Sequence, residues 1–270
     1  MTVLDDLRLD DQVAIVTGAG RGLGRAMALA FADAGAHVVC AARTVEQIDE
    51  TAALIEQRGR RALSVQTDAS DPVAFNALAA TTMESFGRID ILLNNAGNYA
   101  TRNTVPLNEL DDDEFQIDMD VNFTSKMYGA RAVVPHMAAA GRGSIINLAS
   151  IYAFAGRRDW YTYFSAKAAV VNFTRSLALS YTDVNIRANA IAPGPFPVSH
   201  FADQASVFNP KLAVPRFGQP WEMGPLAVFL ASDASAGVNG ETIIIDGGGL
   251  AGGVTPPTWR PRIALPGGAA

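Results

Sequence analysis

A chain of 270 residues, 49% of them apolar, is long enough to bury one large core without splitting into domains. Its net charge of −6 excludes a nucleic-acid binder that works through a basic face, and its single cysteine, Cys40, excludes an internal disulfide framework. Three scattered histidines (His37, His136 and His200) offer no metal-ligand spacing, so no metal is expected.

In chain order, QVAIVT (12–17) is a short apolar run that ends in glycines and reads as a buried strand. LGRAMALAFADAG (23–35) has apolar residues at helical spacing and stops at Gly35, a helix C-terminal cap. HVVCAA (37–42) is a second buried strand, and TVEQIDETAALIEQRG (44–59) is a helix that again ends in glycine. RALSVQT (61–67) is the next strand, followed by a helix over 71–87 with Pro72 in its first turn. Further strands are IDILLNN (89–95), GSIINLAS (143–150), NIRANAIA (185–192) and ETIIID (241–246). Long helices begin near Asp111 and Trp160, and another covers WEMGPLAVFLA (221–231). Strands alternating with helices call for an α/β fold: one doubly wound parallel sheet in a single domain, covered on both faces.

In such sheets ligands bind at the carboxyl ends of the strands, where the strand order reverses. The first strand ends in TGAGRGLG (17–24), whose glycines let the backbone turn tightly and approach a ligand closely. The helix that follows points its N–H groups and positive dipole end at the loop, which suits a pyrophosphate. Further along, DWYTYFSAK (159–167) offers two tyrosines to one lysine. On a helix Tyr163 lies one turn before Lys167, whereas Tyr161 falls on a different face, so the pair is Tyr163 and Lys167. A phenol, with a pKa of about 10, is a poor base at neutral pH; a neighbouring ammonium favours the phenolate. Such a phenol can donate a proton to a carbonyl oxygen or take one from an alcohol.

TGAGRGLG, NNAG (94–97), YFSAK (163–167) and APG (192–194), in this order and spacing, resemble the short-chain dehydrogenase/reductase family from residue 10 to about 249. The resemblance implies a Rossmann-type sheet, NAD or NADP, and hydride transfer between an alcohol and a carbonyl. It divides the chain into a domain over 1–249 and a Gly/Pro-rich tail over 250–270. It implies an active site of Asn122, Ser150, Tyr163 and Lys167. Tyr163 would be the general acid in reduction and the general base in oxidation. Ser150 would hydrogen-bond the substrate oxygen. Lys167 would also bind the nicotinamide ribose, and Asn122 would hold a water linking that lysine to solvent.

The resemblance further implies that Gly18, Arg21, Gly22, Leu23 and Gly24 line the cofactor phosphates. Asp68 would accept from the adenine amino group with Ala69 beside it; Asn95, Ala96 and Gly97 would support the adenosine ribose. Pro193, Gly194 and Phe196 would flank the nicotinamide. At the end of the second strand stand Ala42 and Arg43 where a carboxylate would select NAD. Arg43, with Arg21 as a second charge, suits a 2′-phosphate and favours NADP(H). NAD(H) remains open, since Arg43 could instead stack on adenine and Glu46 could approach the ribose.

The substrate pocket is expected from Tyr99, Ile151, Phe154, Trp160, Pro195, Phe196 and His200, an apolar and aromatic wall suited to a small-molecule alcohol or carbonyl compound. Arg157 and Arg158 could recognise a carboxylate at its mouth or belong to a solvated loop or subunit contact, and APGPFP resembles the loop of gluconate 5-dehydrogenase-like members. The family implies a homotetramer or homodimer, and Trp259 in the tail is expected to dock on another subunit. The acidic N-terminus lacks the pattern of a signal peptide and no stretch is apolar enough to span a bilayer, so a cytoplasmic protein is expected, with no membrane partner. Rival readings are a catalytically silent dinucleotide-sensing protein of the same fold, an enoyl reductase, which would space its tyrosine and lysine further apart, and an epimerase, which would be longer with a different glycine loop.

Overall fold

The central apolar runs become strands because they are covered on both faces, whereas the two edge strands are only partly buried. In Val13–Thr17 (β1) every residue is buried, and alternate side chains serve different cores, as the twofold repeat of a strand requires. Ala14 and Val16 join Met27, Phe31 and Leu230 on one face; Val13 and Ile15 join Phe75, Leu78 and Val133 on the other. The computed structural model describes residues 2–98, 104–196, 214 and 216–251.

The remaining strands are His37–Ala42 (β2), Ala62–Gln66 (β3), Ile91–Asn94 (β4), Gly143–Leu148 (β5), Ile186–Pro193 (β6) and Thr242–Ile245 (β7). All pair in parallel in the order β3-β2-β1-β4-β5-β6-β7. Helices Gly22–Asp33 (α1), Val45–Glu56 (α2) and Met223–Ala231 (α7) contribute to the first core. Pro72–Phe86 (α3), Ser125–Ala140 (α5) and Tyr161–Ser180 (α6) contribute to the second. This is the expected doubly wound α/β sheet. Because β1 pairs with both β2 and β4, the winding reverses between β1 and β4, and a crevice opens beyond their carboxyl ends.

Local signals set the helix ends. The Asp71 side chain accepts from Val73 N–H, Pro72 occupies the first turn of α3, and Gly87 closes the helix in the left-handed conformation at φ 75°. The helix expected from Asp111 differs from its reading. Asp112–Met119 (α4) is followed by a π-helical segment, Asp120–Thr124, before α5 begins. Hydrophobic spacing does not register one widened turn inside a longer helix. The helix expected over 221–231 opens with a 3₁₀ turn, Pro220–Glu222, capped reciprocally by Gln219 and Glu222.

A buried polar ladder ties the second core to the sheet. Asn94 Nδ2 donates to the Lys126 carbonyl at 3.2 Å and to Asn147 Oδ1 at 3.0 Å. Asn147 Nδ2 donates in turn to Thr174 Oγ1 at 2.9 Å. Both asparagines and the threonine are buried, so each bond matters more than a solvated one would. Asn147→Leu should therefore lower the unfolding free energy in urea by about 2 kcal/mol; an unchanged midpoint would show that the ladder carries no stability.

Candidate active site

The crevice is bounded by two turns stitched together. Asn95 Nδ2 donates to the Thr17 carbonyl at 2.9 Å, and Ala96 N–H donates to Thr17 Oγ1 at 3.0 Å. The end of β4 is thereby fixed to the start of the glycine loop. Gly24 must lack a side chain: a Cβ there would fall 2.1 Å from the Gly18 oxygen and 2.5 Å from Asn95 Nδ2. Gly18 and Gly22 have φ of 67° and 55°, in the region that favours glycine.

From behind, Arg25 of α1 and Thr51 of α2 hold the loop. Arg25 donates to the Gly20 carbonyl through both Nε (3.0 Å) and Nη2 (2.6 Å), and Nη2 pairs with Glu50 at 2.7 Å. Thr51 Oγ1 donates to the Ala19 carbonyl at 3.0 Å. With these carbonyls engaged, no described residue accepts from the main-chain N–H groups of Gly20, Arg21, Gly22, Leu23 or Gly24. Five donors at a helix N-terminus fit a pyrophosphate. No sequence motif marks Arg25 or Thr51; their signal is three-dimensional, since they lie 26 positions apart.

Beside this cradle, Lys167 is buried and its Nζ donates to the Leu148 carbonyl at 2.8 Å. Nζ also lies 5.6 Å from the centre of the Tyr163 ring, as two residues one helical turn apart should. Burial pushes the Lys167 ammonium down to a pKa of about 8. Gly97 is within the same neighbourhood: a Cβ on it would sit 3.1 Å from Asn122 Oδ1 and 3.6 Å from Lys167 Nζ. Asn122, fully buried in the π segment, pairs reciprocally with Asn98: Asn98 N–H donates to Oδ1 at 3.1 Å and Nδ2 donates to Asn98 Oδ1 at 2.7 Å. Ser150 follows β5 as the cap of a 3₁₀ turn, Ile151–Ala153, its Oγ accepting from Tyr152 N–H at 3.2 Å.

The other expected residues divide between walls and packing. Arg43 is exposed after β2, its carbonyl accepting from Gln66. Arg21 is exposed at the N-terminus of α1. Asp68 Oδ1 accepts from the Ser70 hydroxyl and N–H, which hold the carboxyl below its usual range, with a smaller contribution from the Arg43 charge. Ala69 packs against the second core. Pro193 ends β6 beside Ile245, and a Cβ on Gly194 would fall 2.6 Å from that of Asp246. Pro195 and Phe196 line a cavity of about 210 Å³ with Val214 and Ile245.

Phe154 is exposed, whereas Trp160 is nearly buried, edge-on to Phe164 at 5.8 Å and covered by the Arg157 guanidinium at 4.7 Å. Tyr152 stacks on Phe164 at 4.5 Å and meets Tyr163 edge-on at 6.3 Å, an aromatic wall the motifs had not included. Tyr152 lies only two residues past Ser150, a signal the sequence did contain. Tyr99, His200 and the segment 252–270, with Trp259, lie outside the described residues.

The Lys167 shift has a consequence for stability. Between pH 8 and the ordinary lysine value of 10.5, the unfolded chain keeps a proton that the folded chain has lost. The unfolding free energy therefore gains from this group as pH rises through that window. Lys167→Met should flatten the rise in urea midpoints across that range; parallel curves for both proteins would contradict the burial.

Comparison with known proteins gives the family. A family model described as enoyl-(acyl carrier protein) reductase matches residues 18–249. The cis-4-hydroxycyclohexanecarboxylate dehydrogenase of Sinomonas cyclohexanicum is 36% identical over 88% of this chain and 96% of its own. The crystal structure of a short-chain type dehydrogenase/reductase from Mycobacterium marinum superimposes with a TM-score of 0.85 at 33% identity, over 92% of this chain and 99% of that one. That of a gluconate 5-dehydrogenase from Burkholderia cenocepacia, in complex with NADP and tartrate, gives 0.85 at 32% identity over 93% and 99%. The chain belongs to the short-chain dehydrogenase/reductase family.

Proposed function

We propose that this protein is an NAD(P)-dependent oxidoreductase that interconverts a secondary alcohol and a ketone, with NADP(H) preferred and Tyr163 as the proton-transferring group. The observation that carries the reading is the buried Lys167 amine beside the Tyr163 ring, in a chain whose glycine loop has five N–H groups with no acceptor among the described residues. A bound nicotinamide supplies or receives the hydride at the substrate carbon. Gly18 and the N–H groups of residues 20–24 hold the phosphates, Asn95, Ala96 and Gly97 flank the adenosine ribose, and Pro193, Gly194 and Phe196 flank the nicotinamide. Asp68 and Ala69 bound the adenine.

In reduction, the Tyr163 hydroxyl gives its proton to the carbonyl oxygen; in oxidation, the phenolate takes the proton from the alcohol. Lys167 favours the phenolate by its charge, holds the nicotinamide ribose, and is fixed in turn by the Leu148 carbonyl. Ser150 donates to the substrate oxygen as negative charge grows there. Asn122, locked by Asn98 within the π segment, positions a water that returns protons to Lys167. Tyr152, backed by the buried Phe164, and Ile151 offer an apolar face to the substrate. The relative that acts on cis-4-hydroxycyclohexanecarboxylate and the neighbour crystallised with tartrate suggest small hydroxy acids as the first compounds to assay, with Arg157 as a guanidinium at the rim.

The NADP preference rests on Arg43, exposed after β2 and within electrostatic reach of Asp68. A homotetramer or homodimer is the proposed assembly: Ile117 on α4, Leu179 on α6 and Ile244 on β7 leave apolar surface exposed. A cytoplasmic location completes the reading, which suits a chain whose single cysteine is a buried thiol pushed up to about 12.

Two measurements test this. Tyr163→Phe should lose ~10²–10⁴ in kcat on the best hydroxy acid or ketone while NADPH affinity stays within twofold; turnover that survives would remove the proton donor, and binding without turnover in the wild type would favour the dinucleotide sensor. Arg43→Asp should shift the ratio of kcat/KM from NADPH toward NADH by roughly 10–100-fold, the worth of one charge-assisted hydrogen bond. A ratio that does not move would leave Arg43 as an adenine-stacking group.

A further inference from the structure

Lys126, in the first turn of α5, is nearly inaccessible at 1% exposure. Its three partners are neutral oxygens: Nζ donates to the Ala96 carbonyl, to the Val121 carbonyl at 3.1 Å and to Ser125 Oγ at 3.0 Å. A lysine amine taken out of water without a carboxylate is expensive. Burial, and after it the charge on Lys167, lower its pKa well below the ordinary value. In either protonation state it retains hydrogens to donate.

What these contacts join explains why the amine is there. Ala96 precedes Gly97, the residue packed between Asn122 and Lys167. Val121 precedes Asn122 in the π segment, where the widened turn leaves its carbonyl to side-chain donors, Ser125 Oγ at 2.7 Å and Lys126 Nζ. The turn over 96–98 is thus stitched to the π segment twice, once by the Asn98–Asn122 pair and once by Lys126.

We propose that Lys126 is a positioning residue: its amine tethers the turn after β4 to the π segment and so holds Gly97 and Asn122 in place beside Lys167. The proposal rests on the cofactor-binding reading above, because only that reading gives the held turn a ligand to receive.

Lys126→Met and Lys126→Gln in the full chain test it through three readouts: melting temperature without ligand, NADPH affinity by nicotinamide fluorescence, and hydrogen exchange at the Asn98 amide. Removing the buried amine relieves its desolvation but leaves the Ala96 carbonyl without that donor, and the two effects oppose, so the Met variant should melt within a few degrees of wild type. The same variant should bind NADPH about tenfold more weakly and exchange Asn98 N–H about tenfold faster, one hydrogen bond's worth. Lys126→Gln, able to donate to the Ala96 carbonyl, should recover most of both losses. Unchanged exchange and affinity in the Met variant would overturn the tether. So would a Met variant that melts well below wild type, since that marks a packing role alone. A wild type that binds neither NADPH nor NADH would sink the cofactor reading instead, while the exchange measurement would still decide the tether.

Discussion

A cation held inside a protein must be compensated, and the way this chain compensates Lys167 organises the site around it. Nζ reaches the carbonyl of Leu148, the last residue of β5, and so draws α6 onto the end of the central strands. The same amine lies 5.6 Å from the centre of the Tyr163 ring, one turn earlier on α6. Phe164 and Lys167 are both buried on α6, and Trp160, the residue before the helix, packs edge-on to Phe164. Burial lowers the pKa of this amine to about 8, so its charge is more easily lost than that of a solvated lysine.

The crevice itself is a product of winding. Only where the sheet reverses direction can two loops at strand ends face one another, and here they are the glycine loop after β1 and the turn after β4. Asn95 joins them from one side, and Arg25 with Thr51 braces the glycine loop from the other. The bracing draws the carbonyls of Ala19 and Gly20 away toward α2, and N–H groups remain as the polar surface of the loop. An anion received by such N–H groups would need no charged side chain in the first instance, which accords with a net charge of −6 on the whole chain.

Two buried lysines, Lys126 and Lys167, flank a single glycine, and neither pairs with a described carboxylate. The oxygens that receive them belong to Leu148, Ala96, Val121 and Ser125, residues whose type is almost immaterial to the contact except for the serine. The π segment matters for the same reason. By widening one turn it brings the Asn122 side chain to Asn98 and frees the Val121 carbonyl for Lys126.

Strand and helix order, the parallel sheet, the glycine loop and the tyrosine–lysine pair were all legible in the amino-acid order, because each depends on neighbours within about one turn or one strand. Period-two and period-3.6 patterns are local, and so is a spacing of four between Tyr163 and Lys167. The π turn, the Arg25–Thr51 brace, the Tyr152–Phe164 stack and the three partners of Lys126 were not legible. Each joins residues through contacts that no spacing rule encodes, and several use main-chain carbonyls, which every residue possesses and none advertises. The chain order alone thus determined what chemistry was available and on which elements it stood. Only the folded sheet decided which carbonyls would receive the buried amines, because that depends on where separate strands end in space.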